Sequence, residues 1–156
     1  MTSAVQKYQV GRDGDDILHG DNGSDHISGG KGADKIWGYG GDDTLDGNRG
    51  SDRVDGGGGD DIVTGGKGDD TLIGGGGQDT FIFSRDDDKD VIKDFNTSDD
   101  TILLEGFGSN KNSFNEIMNH ASNEDGNVVI DLGSGDVLTL NGLSKSDLSS
   151  DDFSFG

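Results

Sequence analysis

The sequence predicts an all-β protein built as a stack of short repeated strands and turns, completed by bound cations. Three observations predict it. A nine-residue period runs without a gap from Gly11 to Ile82. One position of that period is always apolar, which gives a thin stacked core and nothing larger. Only 28% of the 156 residues are hydrophobic, and 12 basic against 32 acidic residues leave a net charge of −20. That combination marks a chain that cannot fold unaided. With aspartate so abundant, a cation is the natural missing component.

The eight units are GRDGDDILH, GDNGSDHIS, GGKGADKIW, GYGGDDTLD, GNRGSDRVD, GGGGDDIVT, GGKGDDTLI and GGGGQDTFI. Position 1 is always glycine, and so is position 4 (Gly14, Gly23, Gly32, Gly41, Gly50, Gly59, Gly68, Gly77). Position 6 is always aspartate (Asp16, Asp25, Asp34, Asp43, Asp52, Asp61, Asp70, Asp79). Position 8 is always apolar (Leu18, Ile27, Ile36, Leu45, Val54, Val63, Leu72, Phe81). Glycine permits the positive φ angles and close backbone approach of a tight turn. A turn with inward carbonyls offers neutral oxygen ligands, and each Asp adds a carboxylate. Oxygen-only ligation suits a hard cation with six or more ligands, Ca²⁺ rather than Zn²⁺. The last three residues of each unit are expected to form a short strand with one side chain inward. Without its register, so Asp/Gly-rich a stretch would read as a disordered acidic linker.

Composition also excludes several classes. There is no cysteine, hence no disulfide framework and no thiolate metal site. No apolar run approaches the ~20 residues a membrane helix needs. The first ten residues lack the apolar stretch of a Sec signal peptide, so the protein either stays inside or leaves by a route that does not read the N-terminus. A pI near 4.1 argues against nucleic acid and anionic membranes as partners. A monomer is expected.

These units resemble the RTX (repeats-in-toxin) nonapeptide of secreted bacterial proteins. The resemblance implies a right-handed parallel β-roll in which two nonapeptides make one coil. It implies Ca²⁺ between units n and n+2, held by the carbonyls of positions 2 and 4 and the Asp of unit n. The carbonyls of positions 1 and 3 and the Asp of unit n+2 would complete the shell. Transferred here, the first site would use Arg12, Gly14, Asp16, Gly29, Lys31 and Asp34, with Arg and Lys contributing main-chain oxygen only. The second would use Asp21, Gly23, Asp25, Gly38, Gly40 and Asp43. Gly30, Gly32, Asp34, Gly47, Arg49 and Asp52 would form the third. The fourth would take Tyr39, Gly41, Asp43, Gly56, Gly58 and Asp61. Asn48, Gly50, Asp52, Gly65, Lys67 and Asp70 would form the fifth. The sixth would take Gly57, Gly59, Asp61, Gly74, Gly76 and Asp79. About six sites are therefore expected from eight units, alternating between two edges. The resemblance further implies secretion and folding in extracellular calcium.

Three segments are expected: a lead-in over 1–10, the repeats over 11–82, and a capping and secretion segment over 83–156. Beyond Phe83 the period is lost, and Asp88 or Asp90 could close a terminal site. Ser113 to Ala121 predicts a short helix. Ser113 and Glu116 have capping-box spacing, and Phe114, Ile117, Met118 and Ala121 form one apolar face. Asn127–Leu132 and Asp136–Leu140 predict a hairpin around Gly133-Ser134-Gly135. The final DDFSF resembles the C-terminus of type I secretion substrates, though such an ending is often only a last strand.

The charges are unevenly distributed. Odd-numbered units hold Arg12, Lys31, Lys35, Arg49, Arg53 and Lys67; even-numbered units hold no Lys or Arg. Each set carries eight Asp. If two units make a coil, Lys31, Arg49 and Lys67 form a ladder on one edge with Lys35 and Arg53 beside it. Three Ca²⁺ per edge would leave that edge at about +4 and the other at about −2. An acidic polysaccharide such as alginate is the expected partner, as in the similar modules of mannuronan C5-epimerases. Chance placement of solubility charges is the plain alternative. No catalytic constellation is present: there is no HExxH and no thiol, and His19, His26 and His120 read as surface residues. Trp37 and Tyr39 could stack on a sugar or pack under the cap. A folding and secretion module of a protease or lipase, or an adhesin end-domain, are the other readings.

Overall fold

The computed structural model describes residues 6–108 and 113–156. Residues 1–5 of the lead-in lie outside that description. In chain order the strands begin with β1 (Tyr8–Val10), β2 (Ile17–His19), β3 (His26–Lys31), β4 (Lys35–Gly40), β5 (Thr44–Arg49) and β6 (Arg53–Gly58). They continue with β7 (Ile62–Lys67), β8 (Thr71–Gly76), β9 (Thr80–Ser84), β10 (Lys89–Ile92) and β11 (Thr101–Glu105). After α1 (Phe114–Asn119) come β12 (Ala121–Glu124), β13 (Asn127–Gly133), β14 (Asp136–Leu140) and β15 (Phe153–Phe155).

The strands form two sheets, β1-β3-β5-β7-β9-β11-β15 and β12-β13-β14-β10-β8-β6-β4-β2. From β1 to β9 odd strands pair with odd and even with even, in parallel, each residue with the one eighteen positions on, as in Ile27↔Leu45 and Ile36↔Val54. The chain thus alternates between sheets at every nonapeptide, and two nonapeptides close one coil of a parallel β-roll. The position-8 side chains from Ile27 to Phe81 point between the sheets and are buried.

The full strands are longer than the three residues expected. Most run six residues, from position 7 of one unit through position 3 of the next. The ladder survives the glycines because pairing resumes beyond them, as in Gly30↔Asn48 and Lys31↔Arg49. Position 1 has no room for a side chain: a Cβ on Gly47 would lie 2.5 Å from both Asp52 Oδ2 and the Gly65 carbonyl oxygen.

Both sheets continue past the repeats. The helix has Ser113 as its N-cap, with the Glu116 amide donating to Ser113 Oγ. Ile117 is its buried residue. The expected hairpin is β13–β14, turning at Ser134 and Gly135 with φ of 61° and 108°. β14 pairs in parallel with β10 and joins the hairpin to the roll. DDFSF ends in β15, which extends the seven-stranded sheet beside β11. Among the described residues no helix is long and apolar enough to cross a membrane.

Leu45 is fully enclosed within this stack. Leu45→Ala should cost about 3 kcal/mol in the calcium-loaded protein, through lost burial and the cavity left behind. Denaturant unfolding at fixed calcium measures this; a cost below ~1 kcal/mol would mean the stack is not the core.

Candidate metal centre

Each position-6 aspartate sits at a turn where the chain crosses between sheets. From Asp34 and Asp43 onward its Oδ1 accepts the amide of the aspartate one coil earlier. On one edge Asp16 N donates to Asp34 at 2.7 Å, Asp34 N to Asp52 at 2.7 Å, Asp52 N to Asp70 at 2.7 Å and Asp70 N to Asp90 at 3.0 Å. On the other, Asp25 N donates to Asp43 at 2.7 Å, Asp43 N to Asp61 at 2.8 Å, Asp61 N to Asp79 at 3.0 Å and Asp79 N to Asp100 at 3.0 Å.

The other oxygen defines the site. Oδ2 of Asp34, Asp43, Asp52, Asp61, Asp70, Asp79 and Asp90 is buried without a hydrogen-bond partner. A buried carboxylate oxygen left unpaired is costly and calls for a cation. A main-chain carbonyl oxygen approaches the same space: a Cβ on Gly29 would meet Asp34 Oδ2 at 2.5 Å and Gly47 O at 2.7 Å. Among the described residues no three Asp, Glu or His side chains gather tightly enough to hold a metal themselves. Any ion here would draw on carbonyls, as calcium does. Two of the expected carbonyls already accept one ladder bond each, Arg12 O from Lys31 N at 3.2 Å and Lys31 O from Gly14 N at 2.6 Å. Each retains a second lone pair. The residues therefore fit a hard cation.

The comparisons bear on this geometry directly. The family model of the RTX calcium-binding nonapeptide repeat matches residues 10–45, 19–54 and 55–89. The chain belongs to the RTX calcium-binding nonapeptide repeat family. Its fold is shared with two solved subunits of the Azotobacter vinelandii mannuronan C5-epimerase. AlgE6R3 is 30% identical with TM-score 0.54, over 90% of this chain and 78% of that one. AlgE6R2 is 30% identical with TM-score 0.51, over 94% and 91%. The extracellular lipase LipA from Serratia marcescens shares the fold at 19% identity and TM-score 0.58. The chain spans 41% of that lipase. Sequence comparison with curated proteins gave no match.

The RTX ladder closes differently at its two ends. Asp90 takes the next rung on one edge, whereas Asp88 is exposed at φ 66° and gives its amide to Asp136 Oδ1 at 3.3 Å. Asp100, not singled out in the sequence, takes the next rung on the other edge, and its Oδ2 accepts Asn96 N at 2.8 Å. Asp100-Thr101-Ile102 repeats the pattern of Asp43-Thr44-Leu45 and could have revealed it. Its spacing of 21 from Asp79, instead of 18, concealed it. At the first coil, Oδ2 of Asp16 and Asp25 accepts the amides of Arg12 and Asp21. Lys7 stands where the ladder would place another aspartate. Its amide donates to Asp25 Oδ1 at 2.8 Å, and its ammonium donates to the carbonyls of His19 and Gly20 at 3.1 and 3.4 Å.

The basic side chains of the RTX module stand in register. Lys31 pairs with Arg49 and Arg49 with Lys67, while Lys35 pairs with Arg53 on the other sheet. A hollow of about 310 Å³ is lined by Gly11, Arg12, Asp13, Gly30, Lys31, Asn48 and Arg49. Exposed ion pairs join Lys31 to Asp13 at 3.1 Å and Lys67 to Asp86 at 3.9 Å. The three histidines are exposed. Trp37 and Tyr39 lie on β4, at the opposite end of the sheet from the cap strands, so they do not pack under the cap.

Burial pushes the rung carboxyls up: Asp43, Asp52 and Asp79 to about 6, and Asp61 and Asp70 to about 7. Asp90 reaches about 9, through burial first and the neighbouring Asp70 second. Each group binds its proton more tightly folded than unfolded. Its stabilising contribution is therefore full below about pH 4 and is lost as pH rises through its folded value. In chelator, far-UV circular dichroism should show β-structure increasing as pH falls from ~8 to ~5. In millimolar Ca²⁺ the slope should reverse, since protons compete with the metal. Chelated protein better ordered at pH 8 than at pH 5 would contradict this origin of the pH dependence.

Proposed function

We propose that this RTX module is a non-catalytic folding unit of a secreted protein, and that its basic edge holds an anionic polysaccharide for an attached enzyme. In this reading Ca²⁺ sits between units n and n+2 in the six ligand sets given above, with a further half-site at Asp90. The unpartnered Oδ2 atoms and the glycine-lined carbonyl cradles support that assignment. When bound, the ion neutralises stacked carboxylates that form no ion pair among the described residues. At low cytosolic calcium the chain stays unfolded and fit for type I export. At millimolar extracellular calcium, binding free energy becomes folding free energy. Per-site affinities of roughly 10⁻⁴–10⁻³ M suit that range.

The observation that carries the polysaccharide reading is the register Lys31↔Arg49↔Lys67 on the edge of the odd-numbered units, the even-numbered units holding no Lys or Arg. Neighbouring rungs lie ~4.8 Å apart, a regular row suited to a linear polyanion. The ion pairs to Asp13 and Asp86 are exposed, hence weak, and can exchange for ligand carboxylates. The epimerase subunits of the same family support an alginate-like ligand. A second reading, folding and secretion without sugar binding, draws on the fold shared with an extracellular lipase.

Calorimetry with uronate oligomers in millimolar Ca²⁺ separates the two. The triple variant Lys31→Gln, Arg49→Gln, Lys67→Gln should weaken binding at least ~10-fold, one lost charge contact being worth about 1 kcal/mol or more when desolvated. The same variant keeps its main-chain carbonyls, so its calcium-dependent folding should be unchanged. Undiminished binding by the triple variant would overturn the basic-edge reading.

A further inference from the structure

The side chains of one aromatic cluster serve neither the aspartate ladder nor the basic edge, although Lys35 of that edge stands beside them. The cluster lies on β2 and β4, at the N-terminal end of the eight-stranded sheet. His19 pairs with Trp37 across these strands. The His19 ring centroid is 5.0 Å from Trp37 and 5.8 Å from Tyr39, each ring within 12° of parallel. Tyr39 Oη and His19 Nδ1 are hydrogen-bonded at 3.0 Å, which fixes the tyrosine, yet Tyr39 remains 53% exposed.

Tyr39 is also strained. Its φ is 77°, at the unit position where Gly30, Gly57, Gly66 and Gly75 take positive φ without cost. A bulky side chain in that region carries backbone strain. A glycine there would relieve the backbone, so the ring is held at the expense of stability. Lys35 precedes Trp37 by two residues on the same face of β4 and makes no ion pair among the described residues. Lys35, Trp37 and Tyr39 thus form a row of one cation and two rings.

We propose that this row is a sugar subsite for one acidic pyranose ring, with the apolar C–H face on Tyr39 and Trp37 and the carboxylate on Lys35. Aromatic faces carry negative potential and attract the positive edge of C–H bonds. The neighbouring ammonium selects a sugar that bears an acid. The inference rests on the anionic-polysaccharide reading and adds an anchor at one end of the strip, which would give the bound chain a fixed starting point.

Trp37 is the one tryptophan of the chain, so its emission reports on this place alone. Titration of the calcium-loaded protein with a uronate oligomer should shift Trp37 emission with the affinity read by calorimetry. Tyr39→Gly, which removes the ring and relaxes the backbone, should lower that affinity about 10-fold. Calorimetric binding with no change in Trp37 emission and full affinity in Tyr39→Gly would overturn the subsite and leave the basic-edge reading standing. A neutral oligomer binding as well as the uronate, with the same emission change, would overturn the assignment to an acidic sugar. No uronate binding by either method would overturn both.

Discussion

Each coil of the roll stacks one buried carboxylate over another on both of its edges. The amide of Asp34 bonds Asp52 Oδ1, and that of Asp52 bonds Asp70 Oδ1, so the backbone forces these groups into line. It leaves their second oxygens with no donor. Two apolar side chains per coil cannot offset the ordering of eighteen residues, still less the repulsion between buried charges. Protons can neutralise these groups, and the raised pKa of Asp61 and Asp70, caused by burial first and by neighbouring carboxylates after it, records that tendency. At neutral pH a divalent cation does so better, because it also brings inward-facing carbonyls into one shell.

That dependence frees the surface for other work. The turn uses glycine for shape, aspartate for charge and main-chain oxygen for everything else. Side chains at positions 2, 3 and 7 are left to vary. Lys31, Arg49 and Lys67 occupy position 3, Lys35 and Arg53 position 7, and Tyr39 and Asn48 position 2. A module built this way can change its surface side chains without changing the turn that carries the aspartates.

The repeat made much of this fold readable. The strict nine-residue period carries the family resemblance that implies two units per coil, and the pairing of residues eighteen apart agrees with it. The helix and the β13–β14 hairpin were visible through Ser113–Glu116 capping and Gly133-Ser134-Gly135. Strand length was not visible, because glycines at positions 1 and 2 carry no β propensity and are kept in the ladder by their neighbours. Asp100 and Lys7 were hidden for another reason. Each holds a ladder position by three-dimensional register, Asp100 after an insertion and Lys7 with the opposite charge. The pairing of β10 with β14 and of β11 with β15 joins segments far apart in sequence, which no local pattern specifies.

The most direct test of the account is a calcium titration of chelated protein followed by far-UV circular dichroism, with Mg²⁺ in parallel. Seven orphaned aspartate oxygens, those of Asp34, Asp43, Asp52 and Asp61 each beside a main-chain carbonyl oxygen, predict a cooperative coil-to-β transition in Ca²⁺ and none at equal Mg²⁺. A chain already β-structured in chelator at neutral pH, or one that Mg²⁺ folds equally well, would contradict it.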